Sequence, residues 1–153
     1  MNVDSIKNGV VIDHIKAGQA MKLYALLELD KLECTIAIIK NVPSKKMGKK
    51  DIIKIDTKMD VDLDIIGYVN PDITVNVIEN GSLVDKKKIE LPLVLKDVVK
   101  CKNPRCITSV EAVPQVFELR DAKTRLYRCR YCEAKAPENY AGTRLQAYRA
   151  PGR

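Results

Sequence analysis

The sequence predicts an α+β fold in two parts. A ferredoxin-like antiparallel sheet with two helices occupies residues 1–98, and a small β domain built on four cysteines follows over 99–153. Three observations carry this reading. Short β-branched runs alternate with two amphipathic stretches in the order β-α-β-β-α-β-β across the first hundred residues. Cys101, Cys106, Cys129 and Cys132 fall in the last third as C-x4-C and C-x2-C, with 22 residues between the pairs. Charge divides at the same place. Residues 1–98 hold 15 Lys, no Arg and 15 acids, whereas 99–153 hold 4 Lys, 8 Arg and 5 acids, so the whole net charge of +7 lies on the second part.

In chain order, Gly9 to Ile15 (GVVIDHI) is a β-branched run entered through glycine and reads as the first strand. Ala17, Ala20, Met21, Tyr24 and Leu27 then recur at helical spacing, which predicts an amphipathic helix over Ala17 to Leu29 lying on the sheet. Thr35 to Val42 (TIAIIKNV) is a second strand ended by Pro43 and Ser44, and the basic loop SKKMGKK leads to a third at DIIKIDT, 51–57. Across Asp60 to Val69, the side chains of Val61, Ile65, Tyr68 and Val69 share one helical face. Asp60, Asp62 and Asp64 suit the positive start of that helix, and Asn70-Pro71 stops it. DITVNVIEN (72–80) and SLVDKKKIEL (82–91) flank Gly81, with Asn80 and Ser82 beside it, and form a hairpin. ELPLVLKDVVK (90–100) joins the two parts, and its apolar density predicts that it packs on one of them.

The cysteine spacing suits metal. Thiolates presented in two tight turns surround one tetrahedral Zn²⁺, and four sulfurs leave no position open for water or substrate. Such a site holds a fold together and does no chemistry, which excludes a zinc hydrolase; iron–sulfur ligation is the alternative. Cys34 reads as a small buried hydrophobe. One histidine and no tryptophan leave little from which to build a nucleophilic catalytic site. No run approaches the ~20 apolar residues of a membrane span, and MNVDSIKNG lacks the blocks of a signal peptide. A reducing, cytoplasmic setting follows, in which thiols stay available for metal.

Charge bears on partners. An Arg-rich second part suits bidentate contacts to carboxylate or phosphate, so acidic protein or nucleic acid is the expected partner, with a merely solvated basic face as the alternative. A nucleic-acid-binding zinc-ribbon protein is the alternative reading of the chain, with few aromatics beyond Tyr127, Tyr131, Tyr140 and Tyr148 to support it. In the first part lysines cluster at Lys45 to Lys50, Lys54 and Lys86 to Lys88; composition fits equally solvated lysines that blunt edge strands and a sheet that brings Lys54 and Lys86 to one anion. Asp13 and His14, adjacent on a strand, are expected on opposite faces.

With these motifs in place, the chain resembles the regulatory-chain family of aspartate carbamoyltransferase over nearly its whole length. The likeness is carried by VIDHI (11–15), by an NVPS turn (41–44) followed by MGKKDIIKI (47–55), by TVNVIEN (74–80), by CKNPRC (101–106) and CRYCE (129–133), and by the domain order. The resemblance implies a non-catalytic subunit of pyrimidine biosynthesis. Its first domain would bind the nucleoside triphosphate effectors CTP, ATP and UTP, and its zinc domain would dock on a separate catalytic chain. Regulatory dimers would bridge two catalytic trimers. Carried over by residue, the nucleotide site comprises Val3, Asp4, Ser5, Ile6, Val11, Asp13, His14, Lys50, Lys54, Asn76, Ile78 and Lys86. Lysines and His14 suit phosphates, Asp13 suits ribose hydroxyls, and Ile6 and Ile78 suit the base. Docking is expected through Lys102 to Arg105 and Arg130 to Glu133. The chain departs from the family at Gly81, where an aromatic is usual, at Lys88, where Arg occurs, and in the tail after Cys132.

Overall fold

The computed structural model describes Val3 and residues 5–137. The chain divides into two compact units, Met1–Glu90 and Leu91–Arg153. The division falls earlier than the boundary expected after residue 98, because the joining segment belongs to the second unit. Val94–Lys96 pairs with a strand of that unit, and Leu119 N–H donates to the Leu93 carbonyl at 2.9 Å.

The first unit runs β1 (Gly9–Lys16), α1 (Ala20–Leu26), a 3₁₀ turn (Leu29–Lys31), β2 (Ile36–Ser44), β3 (Gly48–Ile55), α2 (Leu63–Val69), β4 (Thr74–Glu79) and β5 (Ser82–Lys87). Its five strands are antiparallel in the order β2-β3-β1-β4-β5, the ferredoxin-like arrangement with β5 added at one edge. Asn80 and Gly81, with φ of 52° and 79°, make the tight turn between β4 and β5; positive φ at both central positions matches strand twist and explains the Asn-Gly pair.

Alternation sorts the sheet into two faces. Val10, Ile12, Ile53, Ile55 and Val75 are buried together with Ala20, Leu23 and Leu26 of α1 and Ile65, Ile66 and Val69 of α2. Each large aliphatic buried in this layer contributes about 1.5–3 kcal/mol. The residues between them, Val11, Lys54 and Asn76 among them, lie on the opposite face.

Both helices are shorter than the sequence predicts. The stripe in α1 runs through Ala20, Leu23 and Leu26, whereas Met21 is exposed. In α2 the Asp62 carboxylate accepts from the N–H groups of Asp64 (3.0 Å) and Ile65 (3.3 Å), so the helix begins at Leu63 instead of Asp60.

The second unit has a three-stranded sheet in the order β6 (Val94–Lys96), β7 (Val116–Asp121), β8 (Leu126–Cys129). Phe117 and Tyr127 fill its small core, and the Tyr127 hydroxyl donates to the Pro92 carbonyl at 2.6 Å. Among the described residues no helix is long and apolar enough to cross a membrane.

Candidate functional site

The open face of the first sheet gathers most of the residues expected there. One register row crosses all five strands: Ala37 on β2, Lys54 on β3, Val11 on β1, Asn76 on β4 and Lys86 on β5. Cross-strand partners share a face, so both lysines project to the same side. Two strands separate them, a span of roughly 14 Å between backbones at the usual strand spacing, so an anion between them is within reach of both flexible stems. Asn76 lies between them, and its Oδ1 is buried with no hydrogen-bond partner. A buried acceptor left unmatched is costly. Ile78 is two residues along β4 on the same face.

The Asp13 and His14 expectation is corrected. The register of β1 against β3 slips between Ile12 and Ile15, and His14 takes φ of 58°. A bulge breaks the alternation and turns the side chain, so the two residues are not divided between the faces. Asp13 pairs with Thr74, while His14 Nδ1 lies 3.1 Å from Thr74 Oγ1. The His14 N–H donates to Asp13 Oδ1 at 2.6 Å, and Lys50 Nζ is 3.0 Å from the same carboxylate oxygen. Asp13, His14, Lys50 and Thr74 thus form one polar cluster beside the lysine row.

The N-terminal segment covers the other end. Val3, Ser5 and Ile6 line a cleft of about 270 Å³ with Thr35, Ala37, Lys54 and Asp56. Asp4 lies outside the described residues. Gly81 N–H donates to the Lys7 carbonyl at 2.9 Å and Asn80 N–H to Asn8 Oδ1 at 3.2 Å, which pins this segment to the β4–β5 turn. The sequence alone does not mark Thr35, Ala37, Asp56 or Thr74 as site residues. Their place depends on which strands pair and in which register, and no local motif carries that.

In the second unit the four cysteine sulfurs lie within 4.8 Å of one another. Cys101 and Cys132 are 3.5 Å apart and Cys106 and Cys129 3.7 Å, with no disulfide formed. Ligand sulfurs about 2.3 Å from one tetrahedral ion stand roughly 3.8 Å from each other, so the cluster fits a single metal. Its surroundings hold it in place. Cys101 N–H donates to Gln115 Oε1 at 3.0 Å, and Thr108 Oγ1 donates to Cys106 Sγ at 3.2 Å. The Cys129 to Ala134 turn is closed by two backbone bonds, Glu133 N–H to Cys129 O at 2.9 Å and Cys129 N–H to Ala134 O at 2.8 Å.

Burial pushes the Cys101 and Cys129 thiols above their ordinary values. Burial acts on Cys132 in the same direction, but hydrogen bonds from the Asn103 side chain, the Ala134 N–H and the neighbouring cysteines outweigh it and bring this thiol to about 7. Cys132 therefore ionises more readily than Cys101 or Cys129.

The positive excess of this unit is partly answered within it. Arg120 makes two 2.7 Å bonds to Glu133 and one of 3.2 Å to Glu118, and Arg130 Nε donates to Glu118 Oε2 at 3.0 Å. The Arg130 hydrogen bond is the main cause holding the Glu118 carboxyl below its ordinary range. Arg130 and Glu133, both expected to dock a partner, are engaged in this network.

Family comparison decides between the alternatives. Residues 1–90 match the model of the aspartate carbamoyltransferase regulatory chain, allosteric domain, and residues 94–141 match that of its metal binding domain. The chain belongs to the aspartate carbamoyltransferase regulatory-chain family. The regulatory chain of Clostridium botulinum strain Hall is 47% identical over 143 residues, 93% of this chain and 95% of that one. That of Clostridium tetani is 47% identical over 135 residues, covering 87% and 94%, and that of Bifidobacterium longum 42% over 137 residues, covering 89% and 99%. Membership makes this a non-catalytic regulatory chain with a metal-binding domain and a separate catalytic chain as its partner.

Proposed function

We propose that the open face of the first sheet binds nucleoside triphosphates, CTP, ATP and UTP, and that occupancy is passed to the catalytic chain as a change in its activity. The observation that carries this reading is the buried, partnerless Asn76 Oδ1 set between Lys54 and Lys86 in one register row. Lys54, Lys86 and His14 suit the phosphates, Asp13 accepts from ribose hydroxyls, and the cleft under Val3, Ser5 and Ile6 suits the base. The mechanism is linkage: a nucleotide that binds one quaternary state better shifts the population towards it, and a coupling of ~1–3 kcal/mol changes affinity ~5- to 150-fold. Calorimetry of the metal-loaded chain with CTP, ATP and cytidine tests it. Micromolar binding of the triphosphates, with cytidine much weaker, is the expected result; no binding by any of them overturns it.

The metal in this reading is zinc, since four thiolates in a closed tetrahedron suit that ion and leave it structural. The turn it fixes presents Lys102 and Arg105 with the exposed Ile107 and Val110 beside them, a mixed basic and apolar surface suited to the catalytic chain. In the first unit β5 is an edge strand exposed throughout, with Leu83 and Val84 uncovered, which supports pairing with a second copy and hence regulatory dimers that bridge catalytic trimers.

A further inference from the structure

We infer that Asp51 is a positioning residue for the phosphate-binding face: its buried carboxylate holds the two strand bulges that set Asp13, His14 and Lys50. The inference rests on the effector reading above for its function but on geometry for its substance.

Asp51 occupies a core position of β3. Ile53 and Ile55, two and four residues on, point into the layer beneath the helices, where a third aliphatic would be the ordinary choice. Asp51 is instead fully buried and makes no ion pair among the described residues. A carboxylate in that place is tolerated only if donors surround it. Three backbone N–H groups do. Oδ1 accepts from Asn41 at 3.0 Å, and Oδ2 accepts from Gly18 at 3.1 Å and Ala20 at 3.3 Å.

Those donors mark what the carboxylate controls. The register of β3 slips against both neighbours over the same short stretch, between Ile12 and Ile15 on β1 and between Ile39 and Val42 on β2. Each bulge contains a non-glycine residue in the left-handed region, His14 at φ 58° and Asn41 at φ 60°. Such conformations are unfavourable alone and persist where surrounding bonds over-determine them. Asp51 binds the N–H of Asn41 inside the β2 bulge. On the other side it is the register partner of Ile15, where β1 resumes pairing after its bulge, and it holds Gly18 and Ala20 just beyond the end of β1. The adjoining residue, Lys50, faces the open side and bonds Asp13 at 3.0 Å. The carboxylate thus bonds the β2 bulge directly and holds the chain that leaves the β1 bulge, and that bulge sets His14 3.1 Å from Thr74.

Asp51→Asn tests this. An amide keeps the shape but presents an acceptor at one end only, leaving either Asn41 N–H or the Gly18 and Ala20 pair facing NH₂. His14 is the single histidine of the chain, so its imidazole NMR signals report the β1 bulge without any ligand. In the metal-loaded chain, Asp51→Asn is expected to shift those signals and to weaken CTP binding by about tenfold or more, with a smaller loss for cytidine, which keeps only the ribose contact to Asp13. Ile66→Val, a core truncation in α2, is the control. It lowers thermal stability and should leave both readouts where they are. If Asp51→Asn loses stability yet keeps the His14 signals and the CTP affinity, Asp51 serves packing alone and the inference is overturned. If the wild-type chain binds no triphosphate, the effector reading fails, and the His14 signals still decide whether Asp51 sets the bulge. Should the single variant not fold, the double variant Asp51→Asn with Asn41→Gly, whose glycine accepts the left-handed geometry, carries the same measurements.

Discussion

Asn76 on β4 pairs in register with Lys86 on β5, which puts an unsatisfied buried acceptor beside an exposed cation. A buried polar atom without a partner costs about 1–3 kcal/mol, a penalty that a bound donor would remove. Asn76→Ala should therefore raise the thermal stability of the ligand-free first unit, on the order of 1 kcal/mol, while weakening nucleotide binding. Calorimetric melting with and without CTP measures both. A variant that loses stability and keeps its affinity would show that Asn76 has a partner in solution and that the site lies elsewhere.

Lys86 is tested by comparing ligands. A charge-assisted contact to phosphate is worth about 1.5–3 kcal/mol, so Lys86→Ala should weaken CTP by roughly tenfold or more and leave cytidine nearly unchanged. Equal losses for the two ligands would place this lysine away from the phosphates.

The element order was legible because each strand is a β-branched run and the β4–β5 turn is Asn-Gly. The metal cluster was legible because its spacing is local within each pair. The phase and start of α1 were not. The N–H groups of Gly18, before the helix, and of Ala20, its first residue, are caught by Asp51, more than thirty residues along the chain, and no local pattern announces that. The β1 bulge was hidden for the same reason: Val11 to Ile15 reads as an unbroken alternating strand, and only its pairing with β3 shows where it slips. In α2 the signal was present and only its bound was too early: Asp62 caps and Asp64 lies in the first turn, while Asp60 precedes the helix.

Gly9 joins the start of β1 to the segment over the cleft. A Cβ there would run into the Ile55 carbonyl and would stand 3.0 Å from Ile6 Cγ2 and 3.1 Å from the Thr57 nitrogen. The obstruction is backbone, so Gly9→Ala must move β1 away from β3 or lift Ile6. A loss of about 1–3 kcal/mol in stability is expected, with proteolytic clipping before Gly9 made faster. Unchanged melting and unchanged clipping would mean that the close approach is relaxed in solution.

Metal loading should release protons and tighten as pH rises. Burial raises the Cys101 and Cys129 thiols, so both carry protons at neutral pH in the metal-free chain and must shed them to ligate, whereas Cys132, at about 7, is already half ionised. In the metal-free chain the two raised thiols contribute stability below their unfolded value of 9.0, and it fades as pH climbs past that value. Cys132, being lowered, contributes above 9.0 and loses that contribution as pH falls through about 7. A chelator titration between about pH 6 and about pH 8 should show zinc affinity rising with pH, and Cys101→Ser should abolish stoichiometric metal and unfold the second unit. Native melting and full metal content in that variant would refute ligation by this cluster.

The docking prediction follows from which charges are already engaged. Arg130 and Glu133 serve the network with Glu118 and Arg120, so reversing Arg130 would disturb the fold near the metal and say little about a partner. Arg105 is different. Its backbone N–H bonds Asn103 Oδ1 at 3.0 Å, while its guanidinium makes no ion pair among the described residues, and the loop is further fixed by Ser109 Oγ donating to the Asn103 carbonyl at 2.9 Å. A preformed loop loses little ordering entropy on association. Replacing Lys102 and Arg105 together by Glu should slow association with the catalytic chain by roughly tenfold or more at low salt, and the difference should narrow as salt screens the steering. Sedimentation of mixed chains, with zinc content measured in parallel, reads the result. Normal assembly by the doubly reversed, metal-replete variant would move the docking surface off this loop and leave the exposed Ile107 and Val110 without a role in it.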